Sequence, residues 1–171
     1  MEKIKNKKMN KMNILMRGIF FTGTIMILLS SCNLTKKYEE QEKEEIQNYL
    51  SAHPELDFTL RESGLYYLDI TVGTGDKPVA KDTAFVYYTG YYLNGNDFET
   101  NVGGDPFAFP VGVGSIIPGW DEGTMLMRVG GKAKLLIPSF LAFGNSGYVM
   151  PAYTPIILDV ELDSIAPGPG K

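Results

Sequence analysis

Histidine, cysteine and tryptophan each occur once in this chain of 171 residues. The single cysteine, Cys32, excludes an intramolecular disulfide, and with one histidine beside it zinc of the usual His/Cys type is excluded too. That histidine, His53, stands next to Pro54 in the amino-terminal part, so no Ser-His-Asp or Cys-His arrangement belongs to the globular part. Gly112-Val113-Gly114 lacks both the Lys-Ser/Thr of a phosphate loop and the third glycine of a dinucleotide fingerprint. No spacing pairs two carboxylates for acid–base work. No metal and no cofactor is therefore expected, and a site in this chain has to work by shape and dryness.

A membrane-spanning run is missing as well. The apolar stretch Ile19 to Leu29 has 11 residues, whereas a spanning helix needs about 20. Lys3, Lys5, Lys7, Lys8, Lys11 and Arg17 precede it, and a basic flank before a short apolar segment reads as a secretory signal peptide over residues 1–31. The segment closes on Leu29-Ser30-Ser31-Cys32, which resembles the lipobox of bacterial lipoproteins and makes Cys32 the expected lipid attachment site. Two acyl chains on one cysteine hold firmly where a single chain holds marginally. The expected location is the cell envelope, with the chain anchored to a bacterial membrane through Cys32. Without residues 1–31 the chain keeps 10 basic and 19 acidic groups, a net charge of −9. So acidic a chain is a poor partner for nucleic acid.

Residues 32–58 are charged, with Glu39-Glu40-Gln41-Glu42-Lys43-Glu44-Glu45 at their centre. Tyr38, Ile46, Tyr49 and Leu50 form one thin apolar stripe, which predicts a helix from Tyr38 to about Ala52, ended by His53-Pro54. The helix reads as a spacer between lipid and domain, or as a surface packed on the domain or on another copy. Its charge run reads as a solvated face.

From Thr59 the pattern changes to alternating apolar and aromatic residues between glycines. Strands are predicted at Leu65 to Ile70, Thr83 to Leu93, from Phe98, at Phe107 to Phe109, Lys132 to Pro138 and Ile156 to Ile165. Asn94-Gly95-Asn96-Asp97 marks a hairpin. Pro118 to Met127 is the one helix expected inside the domain, with Asp121 and Glu122 suited to its positive end. The expected fold is α+β: a curled antiparallel sheet, a half-barrel, wrapped around one short helix, with Trp120 and Met127 plugged into its concave face. The domain is expected over residues 59–166, and residues 167–171, Pro-Gly-Pro-Gly-Lys, as a disordered tail.

Four blocks in order carry a resemblance. They are Val86-Tyr87-Tyr88-Thr89-Gly90; Gly95-Asn96-Asp97-Phe98-Glu99; Pro106-Phe107-Ala108-Phe109 running on to Ile116-Ile117-Pro118-Gly119-Trp120-Asp121-Glu122-Gly123; and Ile137-Pro138-Ser139-Phe140-Leu141-Ala142-Phe143-Gly144, followed by Met150-Pro151 and Ile157 to Leu162. Together they resemble the FKBP-type peptidyl-prolyl cis-trans isomerases over roughly Gly64 to Ala166. The resemblance implies an isomerase of X-Pro bonds with Trp120 as pocket floor. Tyr88, Phe98, Glu99, Ile117, Trp120 and Phe143 would do the work, with Phe107, Ile116, Tyr148, Met150 and Leu158 binding substrate. It implies Pro-containing polypeptides as partners and a macrolide as a further ligand. The chain departs from the family where Glu99 replaces the usual Asp, Phe143 the usual Tyr, and Leu158 the usual aromatic. Two rival readings use the same residues: a proline- or peptide-binding chaperone without turnover, and an accessory lipoprotein of an envelope complex that docks through residues 38–52.

Overall fold

The computed structural model describes residues 34–169. The expected signal peptide and Cys32 lie outside the described residues, as does the end of the tail. Among the described residues no helix is long and apolar enough to cross a membrane.

The described residues open with α1 (residues 34–52) and continue through β1 (Thr59–Leu60), β2 (Tyr66–Thr71), β3 (Thr83–Tyr92), β4 (Asp97–Thr100), β5 (Phe107–Pro110), α2 (Pro118–Leu126), β6 (Lys132–Ile137) and β7 (Ile156–Ala166). The strands form one sheet in the order β1-β2-β6-β7-β3-β4, with β5 pairing the first half of β3. All pairings are antiparallel. The expected α+β architecture is what the chain adopts. Strand boundaries shift by a residue or so, and a short 3-10 turn, Ser139–Leu141, follows β6.

Alternation decides which side chains share a face. In β3, Ala84, Val86 and Tyr88 turn inward, and they meet Leu158, Val160 and Leu162 of β7 and Ala133, Leu135 and Ile137 of β6. Burial of each large aliphatic side chain here contributes about 1.5–3 kcal/mol. Trp120 and Met127 join this core, as expected. The helix carrying Trp120 lies close against the sheet because Gly119 and Gly123 face it: a Cβ on Gly119 would stand 2.4 Å from Ile137 Cγ2, and one on Gly123 2.5 Å from Leu135 Cδ1.

The domain unit runs from Glu42 onward. On the outer face of the sheet Ile46, Leu136 and Ile157 form a second buried cluster, flanked by Tyr49, Leu50, Phe58, Tyr66, Tyr91 and Leu93. Ile46, Tyr49 and Leu50 recur at helical spacing, which brings all three to one side of α1. Beside this cluster Lys134 Nζ donates to Asp159 Oδ1 at 2.5 Å and to the Tyr91 hydroxyl, which donates to Asp159 Oδ2 at 2.8 Å. Burial, then that hydrogen bond, pushes the Tyr91 phenol well up.

Two expectations need correction. The charge run of α1 is not solvated throughout, because Glu42 is buried and holds Ser139. The tail is not free at Gly168, whose N–H donates to Asp82 Oδ1 at 3.1 Å. Asp82 is 4% exposed, and its other oxygen accepts the Val79 N–H at 3.1 Å. A carboxylate so buried needs both oxygens satisfied, and the tail supplies one donor.

Candidate active site

The concave face of the sheet leaves an apolar cavity beside α2. Tyr88 enters it from β3, Phe98 and Glu99 from β4, and Ile156 and Leu158 from β7. Ile116 and Ile117 come from the loop before α2, Trp120 from its first turn, and Phe143 from the segment after the 3-10 turn. Together they enclose about 200 Å³. A larger groove of about 380 Å³ crosses the outer face of the sheet. Its charges are already paired, Lys132 with Glu161 at 2.7 Å and Lys134 with Asp159, so it reads as a solvated ladder.

The cavity is built around the indole of Trp120, which is 8% exposed. The ring of Tyr88 lies 4.6 Å from it, Phe107 5.5 Å and Phe109 5.6 Å, each tilted. Such offset aromatic contacts stabilise by about 0.5–1.5 kcal/mol beyond the area they bury. They also fix the plane of the indole. Among the described residues nothing accepts the Trp120 Nε1–H.

Polar groups are few. The Tyr88 hydroxyl interacts with the Glu99 carboxylate. Burial, reinforced by that interaction and by the negative charge, pushes the Tyr88 phenol up to about 12. Tyr88 thus presents a neutral hydroxyl at neutral pH. Ile117 caps α2 ahead of Pro118, so its backbone N–H lies at the helix end where amide donors have no partner within the helix. Among the described residues no cluster of His, Cys, Asp and Glu could hold a metal ion.

Two polar residues support the walls from behind. Asp121, buried at the start of α2, accepts the Gly112 N–H at 2.6 Å and the Gly114 N–H at 3.0 Å, which holds the loop between β5 and α2. Asn101 accepts the Tyr88 N–H at 2.7 Å and donates to Val86 O and Asp105 O. Its amide stands in for a strand where β4 leaves the edge of β3.

A model of the FKBP-type peptidyl-prolyl cis-trans isomerases matches residues 75–163, which include every cavity-lining residue. The chain belongs to this family. It is 42% identical over 130 residues to the FKBP-type peptidyl-prolyl cis-trans isomerase FkpA of Aeromonas hydrophila, a match covering 74% of this chain and 47% of the relative. The chain thus spans about half the length of that relative. The crystal structure of FkpA from Escherichia coli superposes with a TM-score of 0.69 at 30% identity, over 81% of this chain and 65% of that one. That of AtFKBP13 gives 0.59 at 32% identity, over 64% of this chain and 99% of that one.

Within this FKBP-type domain the predicted residues Tyr88, Phe98, Glu99, Ile116, Ile117, Trp120, Phe143 and Leu158 come together around the cavity. Three others do not line it. Phe107 lies behind the wall against Trp120 and Tyr88, with 39% of its surface exposed. Met150 is buried in the core cluster. Tyr148 is 92% exposed and packs on nothing in the core. Ile156 was missed, although alternation along β7 puts it on the same face as Leu158. Asp121 and Asn101 were missed as supports, since neither loop partner is near them in any sequence pattern.

Proposed function

We propose that the chain is a peptidyl-prolyl cis-trans isomerase acting on X-Pro bonds of exported or envelope polypeptides, held at a bacterial membrane by lipid on Cys32. The observation that carries the activity is the cavity itself: nine side chains, of which only Tyr88 and Glu99 bring a hydroxyl or a charge. Rotation about a peptide bond faces a barrier of about 18–20 kcal/mol and takes tens to hundreds of seconds for X-Pro. The planar amide is strongly polar through resonance, and twisting it reduces that polarity. A dry apolar enclosure therefore disfavours the planar form relative to the twisted one, which is differential binding without covalent chemistry. Each tenfold of rate needs about 1.4 kcal/mol of that difference.

In this reading the proline ring rests on Trp120 between Tyr88, Phe98 and Leu158, and the Ile117 N–H receives a substrate carbonyl. Phe143 and Ile156 close the enclosure, and Glu99 keeps the Tyr88 hydroxyl turned to the rim. A macrolide would compete for the same surface. The envelope location is supported by the basic flank, the short apolar run and Leu29-Ser30-Ser31-Cys32. One observation favours the proline-binding module without turnover: Phe143 brings a ring to the wall and no donor for a bound carbonyl.

Cis–trans exchange of a Leu-Pro peptide, followed by NMR with the purified full chain, separates the two. Acceleration that falls in Trp120→Ala supports the isomerase. Binding of the peptide without acceleration overturns it and leaves the binding module. Mass spectrometry of the chain from cells tests the anchor, which predicts a diacylated Cys32 that is lost in Cys32→Ser.

A further inference from the structure

We infer that Glu42, on the amino-terminal helix, is a positioning residue for the cavity and acts on Phe143 through Ser139; this rests on the isomerase reading above. Glu42 lies 97 residues from Ser139 and is 7% exposed. Its carboxylate accepts the Ser139 backbone N–H at 2.5 Å and the Ser139 hydroxyl at 2.7 Å. Bonds from neutral donors to a charged acceptor are short and strong. Removing the acceptor would leave the Ser139 N–H, itself buried, without its partner.

The Ser139 peptide in turn sets the segment that carries Phe143. Its carbonyl accepts the Ala142 N–H at 2.9 Å and the Gly144 N–H at 2.8 Å, the two amides that flank Phe143 in sequence. Glu42 thus grips the N–H side of the Ser139 residue, and its C=O side grips both neighbours of the cavity wall. Ile46, one helical turn further on, packs against Leu136 and Ile157 on the outer face of the sheet. The strand ending at Ile137, one residue before Pro138-Ser139, is therefore held on both faces. Of the sequence's alternatives for this helix, spacer or packed surface, the part from Glu42 onward takes the second and belongs to the domain.

The test compares Glu42→Ala, Glu42→Gln, Ser139→Ala and Phe143→Ala in the full chain, together with the double variants of Phe143→Ala. Each is assayed by Leu-Pro exchange well below its melting temperature, and by the amide resonances of Ala142 and Gly144. Glu42→Ala is expected to lower kcat/KM about tenfold and to move both resonances. Glu42→Gln restores most of the rate, because its oxygen accepts the N–H and its amide donates to the Ser139 oxygen. In a Phe143→Ala background Glu42→Ala costs nothing more, since its effect passes through the missing ring. An additive loss in the double variant, or unmoved resonances with full activity in Glu42→Ala, overturns the inference. If Glu42→Ala does not fold, Ser139→Ala decides. It keeps the N–H bond, and a partial loss that vanishes without Phe143 supports the role, whereas no effect on rate or resonances refutes it. Should the wild type not catalyse exchange, the resonances still decide the Glu42 question, and the isomerase reading fails separately.

Discussion

Phe98 lies over Gly90: a Cβ on that glycine would stand 2.6 Å from Phe98 Cζ and 3.1 Å from Leu158 Cδ2. Both rings and branches belong to cavity-lining residues, so the absence of a side chain on β3 makes room for two walls. Gly90→Ala is expected to swing the half-buried Phe98 aside. Stability falls by only about 1 kcal/mol, the low end for overpacking, because the displaced atoms are the far end of a ring. Peptide binding weakens more than stability does. Urea unfolding beside a peptide titration checks the contrast, and equal losses would contradict it.

Phe143→Tyr adds a hydroxyl at the cavity wall where the chain has none. A hydrogen bond to a bound carbonyl is worth about 0.5–1.5 kcal/mol, so kcat/KM on a Leu-Pro peptide should rise two- to tenfold, roughly. An unchanged or lower rate would show that the new hydroxyl finds no carbonyl.

The activity should not depend on pH across roughly pH 6 to 8, because the cavity has no histidine. Stability behaves differently in alkali. Tyr88 has a folded pKa of about 12 against an ordinary 10.0, so the folded chain binds more protons than the unfolded one between those values. Its contribution is fully present below pH 10 and is lost as pH rises toward 12. Tyr67 and Tyr91, both raised by burial and by hydrogen bonds to Asp69 and Asp159, change in the same sense. Ultraviolet titration of wild type against Tyr88→Phe measures this directly; a phenol titrating near 10 would refute it.

Asp121 carries two backbone donors on one carboxylate, Gly112 and Gly114. Bonds to a charged group contribute about 1.5–3 kcal/mol each, so Asp121→Ala should destabilise by roughly 3 kcal/mol. Asp121→Asn keeps one acceptor oxygen and should lose about half as much. Denaturant midpoints decide between this and a simple helix-dipole role, for which the loss in Ala would stay below about 1 kcal/mol.

All strands but β1 and the helix at Pro118 were legible in the sequence because they rest on local signals, while the cavity was legible through the four ordered blocks of the family resemblance. The cavity residues Tyr88, Phe98, Glu99 and Leu158 were implied by the family resemblance, and the alternation of β3 and β7 turns Tyr88 and Leu158 inward together. The same alternation puts Ile156 on the inner face of β7 beside Leu158, at a position that none of the four blocks covers. Met150 and Tyr148 were misplaced for a different reason: they sit in the irregular segment between the 3-10 turn and β7, where no period says which way a side chain turns.

By itself, then, the sequence determined the order of the elements from β2 onward, most inward faces and a chain from Thr59 onward without histidine or cysteine, because composition and periodicity are properties of the chain alone. Only the tertiary structure decided that Glu42 is buried on Ser139, that Gly168 completes Asp82, and that Asn101 braces Tyr88. The Glu42 and Gly168 bonds join residues 97 and 86 apart, and that of Asn101 spans a hairpin. A polar residue in a charged or irregular stretch looks the same whether it meets water or a buried amide. The difference appears when the sheet closes and removes the water.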